Sequence, residues 1–326
     1  MTIFVPFNLQ ESTSMKKFIA YFKGFHAGYF NARLYSTILL FIAILITFNY
    51  TLDVEHLYIK SFSSAPIRIL LFFIYHAIAF YGVLFIIYLF DKKRIEFTRS
   101  FWIKSLLGFA VLAIDRGTPQ LFATFLSKGC PGETMLFCFK VLINSSSWLS
   151  IFGLLLIMKL IFDRKDDNGL YGLRFSQVNF KAYFILLLIM VPLVYGASFI
   201  PEFIDYYPVY KRTGGLGFAN FYKLPEYVSK ITFEFFYITD FLNTEVFFRG
   251  FLIIGLSKLI GKNAVLAMAA TYCVLHFGKP MGETISSVFG GYILGILALY
   301  SRNIWGGVFV HGGTALLMEI FAFGKM

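Results

Sequence analysis

Long apolar runs separated by short polar connectors dominate the pattern of this chain. The runs lie near residues 35–52, 66–90, 101–114, 133–162 and 180–200, and four more follow between 227 and 323. About 20 apolar helical residues are needed to cross a hydrocarbon layer about 30 Å thick. The runs lack the two-residue alternation of a membrane β-barrel. The pattern therefore predicts an all-α, polytopic membrane bundle with about eight to nine transmembrane helices.

Polar stretches divide the chain into four predicted parts. Residues 1–34 carry lysines among aromatic side chains at a spacing that suits an amphipathic helix lying on the membrane surface. Residues 35–200 hold the N-terminal transmembrane helices. Residues 201–226, rich in proline and glycine, are predicted to form an extramembrane linker or loop. Residues 227–326 form the C-terminal helical core.

The basic connectors indicate an orientation in the membrane. The cluster Asp91-Lys92-Lys93-Arg94 follows an apolar run directly and is the strongest positive-inside signal. The connector at 257–262 carries two further lysines, which also indicates a cytoplasmic position and directs a pocket on the other side of the core outward. We expect a multi-pass protein of the plasma (inner) membrane.

Composition supports a membrane location and weakens two other interpretations. Of the 326 residues, 58% are hydrophobic and only 14% are charged, although the formal net charge is +11. Because the Lys and Arg residues lie mainly in connectors, topology and the lipid bilayer explain this charge, and no nucleic-acid partner is expected. Three cysteines without paired spacing predict neither a disulfide framework nor a cysteine zinc cluster.

Glu245 and Arg249 stand inside the apolar run Asn243 to Ile254, four residues apart on one helix face. Insertion scales assign about 2.5–3.5 kcal/mol to such a charge at a helix centre, so ionisable residues there are candidates for a functional site. Lys104 and Lys140 also lie in apolar runs, and we expect them to reach an interface or to pair within the bundle.

Two histidines lie in later runs of the same core. Counted from the connector at 257–262, Glu245 and His276 fall at nearly the same depth of an antiparallel hairpin, and His311 comes from the next run. A carboxylate with two imidazoles can activate water and stabilise an oxyanion. No cofactor is required, although Glu245, His276 and His311 could instead bind a divalent metal. An ion pair that only locks helices, with histidines that only pack, is the structural alternative.

Several short motifs in this core resemble those of one protease family. Glu245-x-x-x-Arg249-Gly-Phe-Leu, Tyr272-x-x-x-His276, a glycine-rich run at 289–295 and Trp305 followed by His311 are similar to motifs of the CAAX-protease and bacteriocin-processing family, called CPBP or Abi. The resemblance covers residues 230–323. It implies a glutamic intramembrane protease with catalytic residues Glu245, Arg249, His276 and His311, acting on a membrane-associated protein or peptide.

Two positions depart from the family pattern. Thr244 stands where the resemblance implies a first, water-activating glutamate, and Ala315 stands where it implies an oxyanion-binding asparagine. Glu245, Asp240 or Glu319 is therefore expected to act as the base. The alternative function is a catalytically inactive membrane scaffold or peptide-binding protein on the same fold. A transporter is disfavoured because the two halves lack paired interrupted helices.

Overall fold

The chain folds into a bundle of α-helices, described here from a computed structural model for residues 14–166, 169–175 and 178–324. Within these ranges there is no β-strand, only an isolated bridge between Leu170 and Leu173. The fifteen helices are α1 Ser14–His26, α2 Ala32–Leu52, α3 Ala65–Phe90, α4 Arg99–Gly117, α5 Pro119–Leu126, α6 Gly132–Ser147, α7 Leu154–Phe162, α8 Phe180–Ala197, α9 Pro201–Tyr206, α10 Gly215–Phe221, α11 Glu226–Glu245, α12 Ser257–Ile260, α13 Asn263–Leu275, α14 Met281–Ser301 and α15 Trp305–Phe323.

Six of the described helical segments are long and apolar enough to cross a membrane. They are α2, α3, α8, α14, α15 and the continuous segment Gly132–Phe162, in which a π-helical turn, Trp148–Gly153, joins α6 to α7. The all-α polytopic class is thus confirmed. The other runs predicted as spans are the more polar helices α4 and α11, which carry exposed apolar side chains such as Leu107 and Ile231, and the short, buried helix α13.

Helix α13 lies at the centre of the bundle. All its residues from Asn263 to Val274 are buried, and its alanines allow α3 and α14 to pack closely against it. With thirteen residues it spans about 20 Å, which is shorter than a hydrocarbon layer of about 30 Å. One end of α13 therefore stops inside the membrane thickness.

Hydrogen bonds join the connectors at one end of the bundle, which we call the basic end. It comprises residues 24–33, 91–100, 163–166, 169–175, 257–263 and 302–304. The joining contacts run from Lys262 Nζ to Gly24 O (2.7 Å), from Asn263 Nδ2 to Arg94 O (3.0 Å), from Asn303 Nδ2 to Arg174 O (2.7 Å) and from Arg302 Nη1 to Ser257 Oγ (2.8 Å).

The opposite end, called the cavity end, comprises residues 50–65, 117–131, 198–225, 276–284 and 319. Its contacts run from Tyr50 OH to Lys279 O (2.6 Å), from Arg68 Nε to Gly117 O (3.1 Å), from Met281 N to a Glu202 carboxylate oxygen (2.8 Å) and from Val209 N to a Glu319 carboxylate oxygen (2.8 Å). The short helices α9 and α10 occupy the stretch predicted as a linker; α9 is bonded to the start of α14, and α10 packs on α6 and α11.

The N-terminal helix α1 packs on the bundle at the basic end. Phe18, Tyr21 and Phe25 are buried, whereas Lys17 and Lys23 are exposed. This two-sided distribution is what an amphipathic helix beside a membrane surface requires. The boundaries of the four parts stay a prediction.

Candidate active site

The predicted carboxylate and guanidinium meet at a change of helix type. After Glu245 the α-helix continues as a π-helix, Val246–Gly255, whose residues are all buried. Arg249 Nη1 donates a hydrogen bond to Glu245 Oε1 at 2.8 Å, and neither side chain is more than 1% exposed. π-Helical turns occur often at functional sites. An ion pair so far from water is costly unless further hydrogen bonds hold it.

His311 supplies such a bond to the carboxylate. Its Nδ1 lies 3.0 Å from Glu245 Oε1, the oxygen that Arg249 also contacts. Because a carboxylate accepts hydrogen bonds, we place the imidazole proton on Nδ1. The other oxygen, Oε2, accepts no hydrogen bond from any residue in the described part of the chain and lies against Gly307, where any β-carbon would overlap it. The glycine thus makes room for the carboxylate.

Tyr272 connects the two histidines, through its hydroxyl on one side and its backbone carbonyl on the other. Its hydroxyl lies 2.9 Å from His311 Nε2, and its ring lies 4.2 Å from the Arg249 guanidinium. Its backbone carbonyl accepts a hydrogen bond from His276 Nδ1 at 2.9 Å. Since Nδ1 donates in that bond, His276 Nε2 is the unprotonated nitrogen of the neutral ring. The nearest acid, Glu283, lies 3.9 Å from Nε2, too far for a hydrogen bond.

A cavity of about 540 Å³ opens beside the histidines at the cavity end. Its volume falls in the usual range for ligand pockets, about 300–1,000 Å³. His276 and His311 line it, whereas Glu245 lies behind His311 and does not. The other charged lining residues are Glu55, Lys60, Arg68, Arg116, Lys140, Asp240 and Lys279, so cations outnumber carboxylates.

Thr244 and Asp240 are one helical turn apart and both line this cavity. Asp240 thereby brings a carboxylate to the region where Thr244 replaces the family's glutamate. Glu319, the other acid considered, is 1% exposed and accepts a hydrogen bond from Val209 N at the cavity end. It is not among the cavity-lining residues. Ala315 is buried one turn after His311 and offers no polar side chain.

The side chains do not fit a metal ion. Among residues 14–166, 169–175 and 178–324, no three His, Cys, Asp or Glu side chains come close enough to share one. Glu245 contacts His311, but no contact links either of them to His276 within ligand distance; the two imidazole rings lie 6.5 Å apart. No step of the chemistry below is assigned to a metal.

The structure brings Glu245, Arg249 and His311 into one hydrogen-bonded group and places His276 on the cavity beside it. Sequence reasoning passed over two features. It named Tyr272 only as part of a motif and gave it no role of its own, although the hydroxyl is bonded to His311 Nε2. It also expected Lys140 to pair or to reach an interface, whereas Lys140 lines the cavity and Lys104 forms the ion pair, with Asp163 at 2.6 Å. The position of Lys140 inside an apolar run was the one sequence feature that could have indicated a place on the cavity wall.

Comparison with protein families gives one match. Residues 230–317 match the family model described as Type II CAAX prenyl endopeptidase Rce1-like, of the CPBP group. The match runs from α11 into α15 and includes all four candidate catalytic residues. The resemblance of the C-terminal core to this protease family is thereby confirmed, and with the apolar helices it identifies a multi-pass membrane protein. Searches of curated proteins and of solved structures found no match.

Proposed function

Since residues 230–317 form an Rce1-like domain, we propose that the chain is an intramembrane endopeptidase that cleaves a membrane-associated protein or peptide, and that it works in the plasma membrane. The observation that supports this most directly is the free Nε2 of His276 on the cavity. In the tautomer assigned above that nitrogen carries no proton, and no residue that the structure describes bonds it, so it can accept a proton from a water held in the cavity.

In the proposed reaction, His276 Nε2 takes a proton from water as the water oxygen attacks the scissile carbonyl carbon. Asp240 orients this water in place of the family's first glutamate. The carbonyl oxygen becomes an oxyanion, and the Tyr272 hydroxyl donates a hydrogen bond to it after turning away from His311 Nε2, which carries no proton of its own. When the C–N bond breaks, the proton on His276 passes to the leaving amine, and a carboxylic acid and an amine result.

Glu245 and Arg249 act through His311 in this proposal. Glu245 holds the Nδ1–H and fixes the ring orientation, as carboxylates behind histidines do in other hydrolases. Arg249 keeps Glu245 ionised and in place through a charge-assisted hydrogen bond.

The test compares protein termini by mass spectrometry in membranes and medium of four strains: wild type, deletion, His276→Ala and His76→Ala. His76 is the matched control because it too is buried and its Nδ1 bonds a carbonyl four residues earlier, Phe72 O at 2.8 Å, yet it does not line the cavity. We expect the deletion and His276→Ala to accumulate the same uncleaved protein and His76→Ala to match wild type. Full processing by His276→Ala contradicts the proposed mechanism.

Two observations favour a second candidate, an inactive peptide-binding scaffold. Thr244 and Ala315 lack the groups that the family uses, and both nitrogens of His311 are already bonded within the protein. This function predicts that His276→Ala matches wild type in the experiment above. It also predicts that Gly291→Leu reproduces the deletion, because a β-carbon there already lies 3.1 Å from the Tyr272 ring, a wall of the site.

A further inference from the structure

Lys and Arg residues are distributed unequally between the two ends of the bundle. The connectors of the basic end, residues 91–98, 163–166, 169–175, 257–262 and 302–304, hold nine: Lys92, Lys93, Arg94, Arg164, Lys165, Arg174, Lys258, Lys262 and Arg302. The connectors of the cavity end, residues 53–64, 118–131, 198–225 and 276–280, hold six, although they are longer in total: Lys60, Lys128, Lys211, Arg212, Lys223 and Lys279.

Helix α1 adds to this asymmetry. It lies at the basic end, where Lys262 bonds its Gly24 carbonyl, and its Lys16, Lys17 and Lys23 are exposed. Short connectors rich in Lys and Arg stay on the cytoplasmic side of membranes, and negative charge contributes little to this choice. All connectors in this protein are short enough for the rule to apply. The basic end is therefore the cytoplasmic end.

Connectivity fixes the position of the cavity relative to this end. α13 starts at the basic end, where Asn263 bonds Arg94 O, and stops at His276, next to the Tyr50 and Lys279 contact of the cavity end. α15 likewise starts after Arg302 and carries His311 toward Glu319. The cavity is lined by Lys60, Tyr206, Val209 and Lys279, all of which belong to the end opposite the basic connectors.

We infer that the cavity opens toward the non-cytoplasmic face and receives segments of membrane proteins or peptides exposed on that side. Because α13 is about 10 Å shorter than the hydrocarbon thickness, His276 lies below the membrane surface rather than in bulk solvent. Tyr206 at the end of α9 lines this recess, and the segment is attached to α14 through the Glu202 contact to Met281 N and the 2.7 Å hydrogen bond from Tyr207 OH to Glu283.

The orientation is independent of the proposed protease activity; only the class of substrate rests on it. The test uses variants with a single cysteine, made after Cys130, Cys138 and Cys273 are changed to serine. Ser100→Cys at the basic end and Ser127→Cys at the cavity end are a matched pair, since both serines are exposed and neither change alters the charge. A membrane-impermeant maleimide is applied to right-side-out and to inside-out vesicles, with detergent-solubilised protein as the measure of full labelling.

We expect Ser127→Cys to be labelled in right-side-out vesicles and protected in inside-out vesicles, and Ser100→Cys to show the reverse. A second exposed pair, Lys165→Cys and Lys211→Cys, repeats the comparison if either serine variant folds poorly. The opposite pattern, or equal labelling of both ends in one vesicle type, overturns the orientation. Because labelling needs no activity, an inactive protein still gives a decisive result, and a failed orientation leaves the hydrolysis test untouched.

Discussion

Gly307→Ala is expected to damage the site by the addition of one methyl group. The new β-carbon would overlap Glu245 Oε2. A surface carboxylate would rotate away at little cost, but Glu245 is fully buried and its other oxygen bonds both Arg249 and His311. Glu245 must shift, and the two hydrogen bonds lengthen with it.

The magnitude follows from three contributions. Overpacking a filled interior costs about 1–3 kcal/mol, and a weakened hydrogen bond to a buried charge costs about 1.5–3 kcal/mol. Replacing a helical glycine by alanine stabilises the helix by up to about 1 kcal/mol, which offsets part of this loss. We therefore expect Gly307→Ala to lower the free energy of unfolding by about 1.5–6 kcal/mol. Misplacing His311 by about 1 Å is expected to reduce processing on the order of 100-fold.

Gly312→Ala is the matched control in the same helix. Gly312 is also buried, but the nearest atom to its added β-carbon is Ile238 Cγ2 at 3.9 Å, an ordinary contact. This variant should process substrate at the wild-type rate, and its free energy of unfolding should rise by up to about 1 kcal/mol. Unfolding in mixed micelles and terminus mass spectrometry measure the two effects. If Gly307→Ala behaves like Gly312→Ala in both, Glu245 is not held against α15 as described.

Three further predictions concern residues on or beside the cavity. Tyr272→Phe removes the hydroxyl that contacts His311 Nε2. It should lower the processing rate about tenfold or more, while the free energy of unfolding falls by only about 1 kcal/mol. An unchanged rate would show that the phenol takes no part in the reaction. Asp240→Asn should reduce processing by at least about 100-fold in the wild-type background. It should have little effect in a Thr244→Glu background, where the family's carboxylate is restored. Equal losses in both backgrounds would exclude Asp240 as the substitute for that glutamate. Lys140→Gln should weaken processing of peptides with an acidic residue near the cleavage site more than of their amide counterparts, whereas Lys128→Gln, exposed and off the cavity, should not discriminate between them.

Residue spacing predicts how deep in the bundle a site residue lies, but it does not predict the direction in which its side chain points. Residue counts from the connector at 257–262 place Glu245 and His276 at similar depth, because an α-helix rises by a fixed step. In the structure Glu245 contacts His311 instead, and His276 lies on the cavity. The direction in which a side chain points depends on the helical period, and the π-helix Val246–Gly255 changes that period without a sequence signal.

The cavity itself is a product of tertiary structure. Its lining comes from α3 to α6, from α11, from the C-terminal end of α13, from His311 within α15 and from the segments near residues 55–60 and 206–209, which no local pattern brings together. Lys140 illustrates the point: an apolar run with one lysine is compatible with an ion pair, with a reach to the interface or with a cavity wall, and packing of α6 on α11 decides among them.

The sequence by itself determined the membrane class, the positions of most helices, the basic connectors and the four residues that the family motifs single out. These features depend on hydrophobicity, charge and spacing along one chain, which are local properties. Tertiary structure decided which imidazole meets the carboxylate, which imidazole keeps a free nitrogen, and which end of the bundle opens. Those outcomes depend on how helices distant in sequence pack against one another. They also depend on Gly307, whose missing side chain leaves space for the Glu245 carboxylate, and on a central helix too short to cross the membrane.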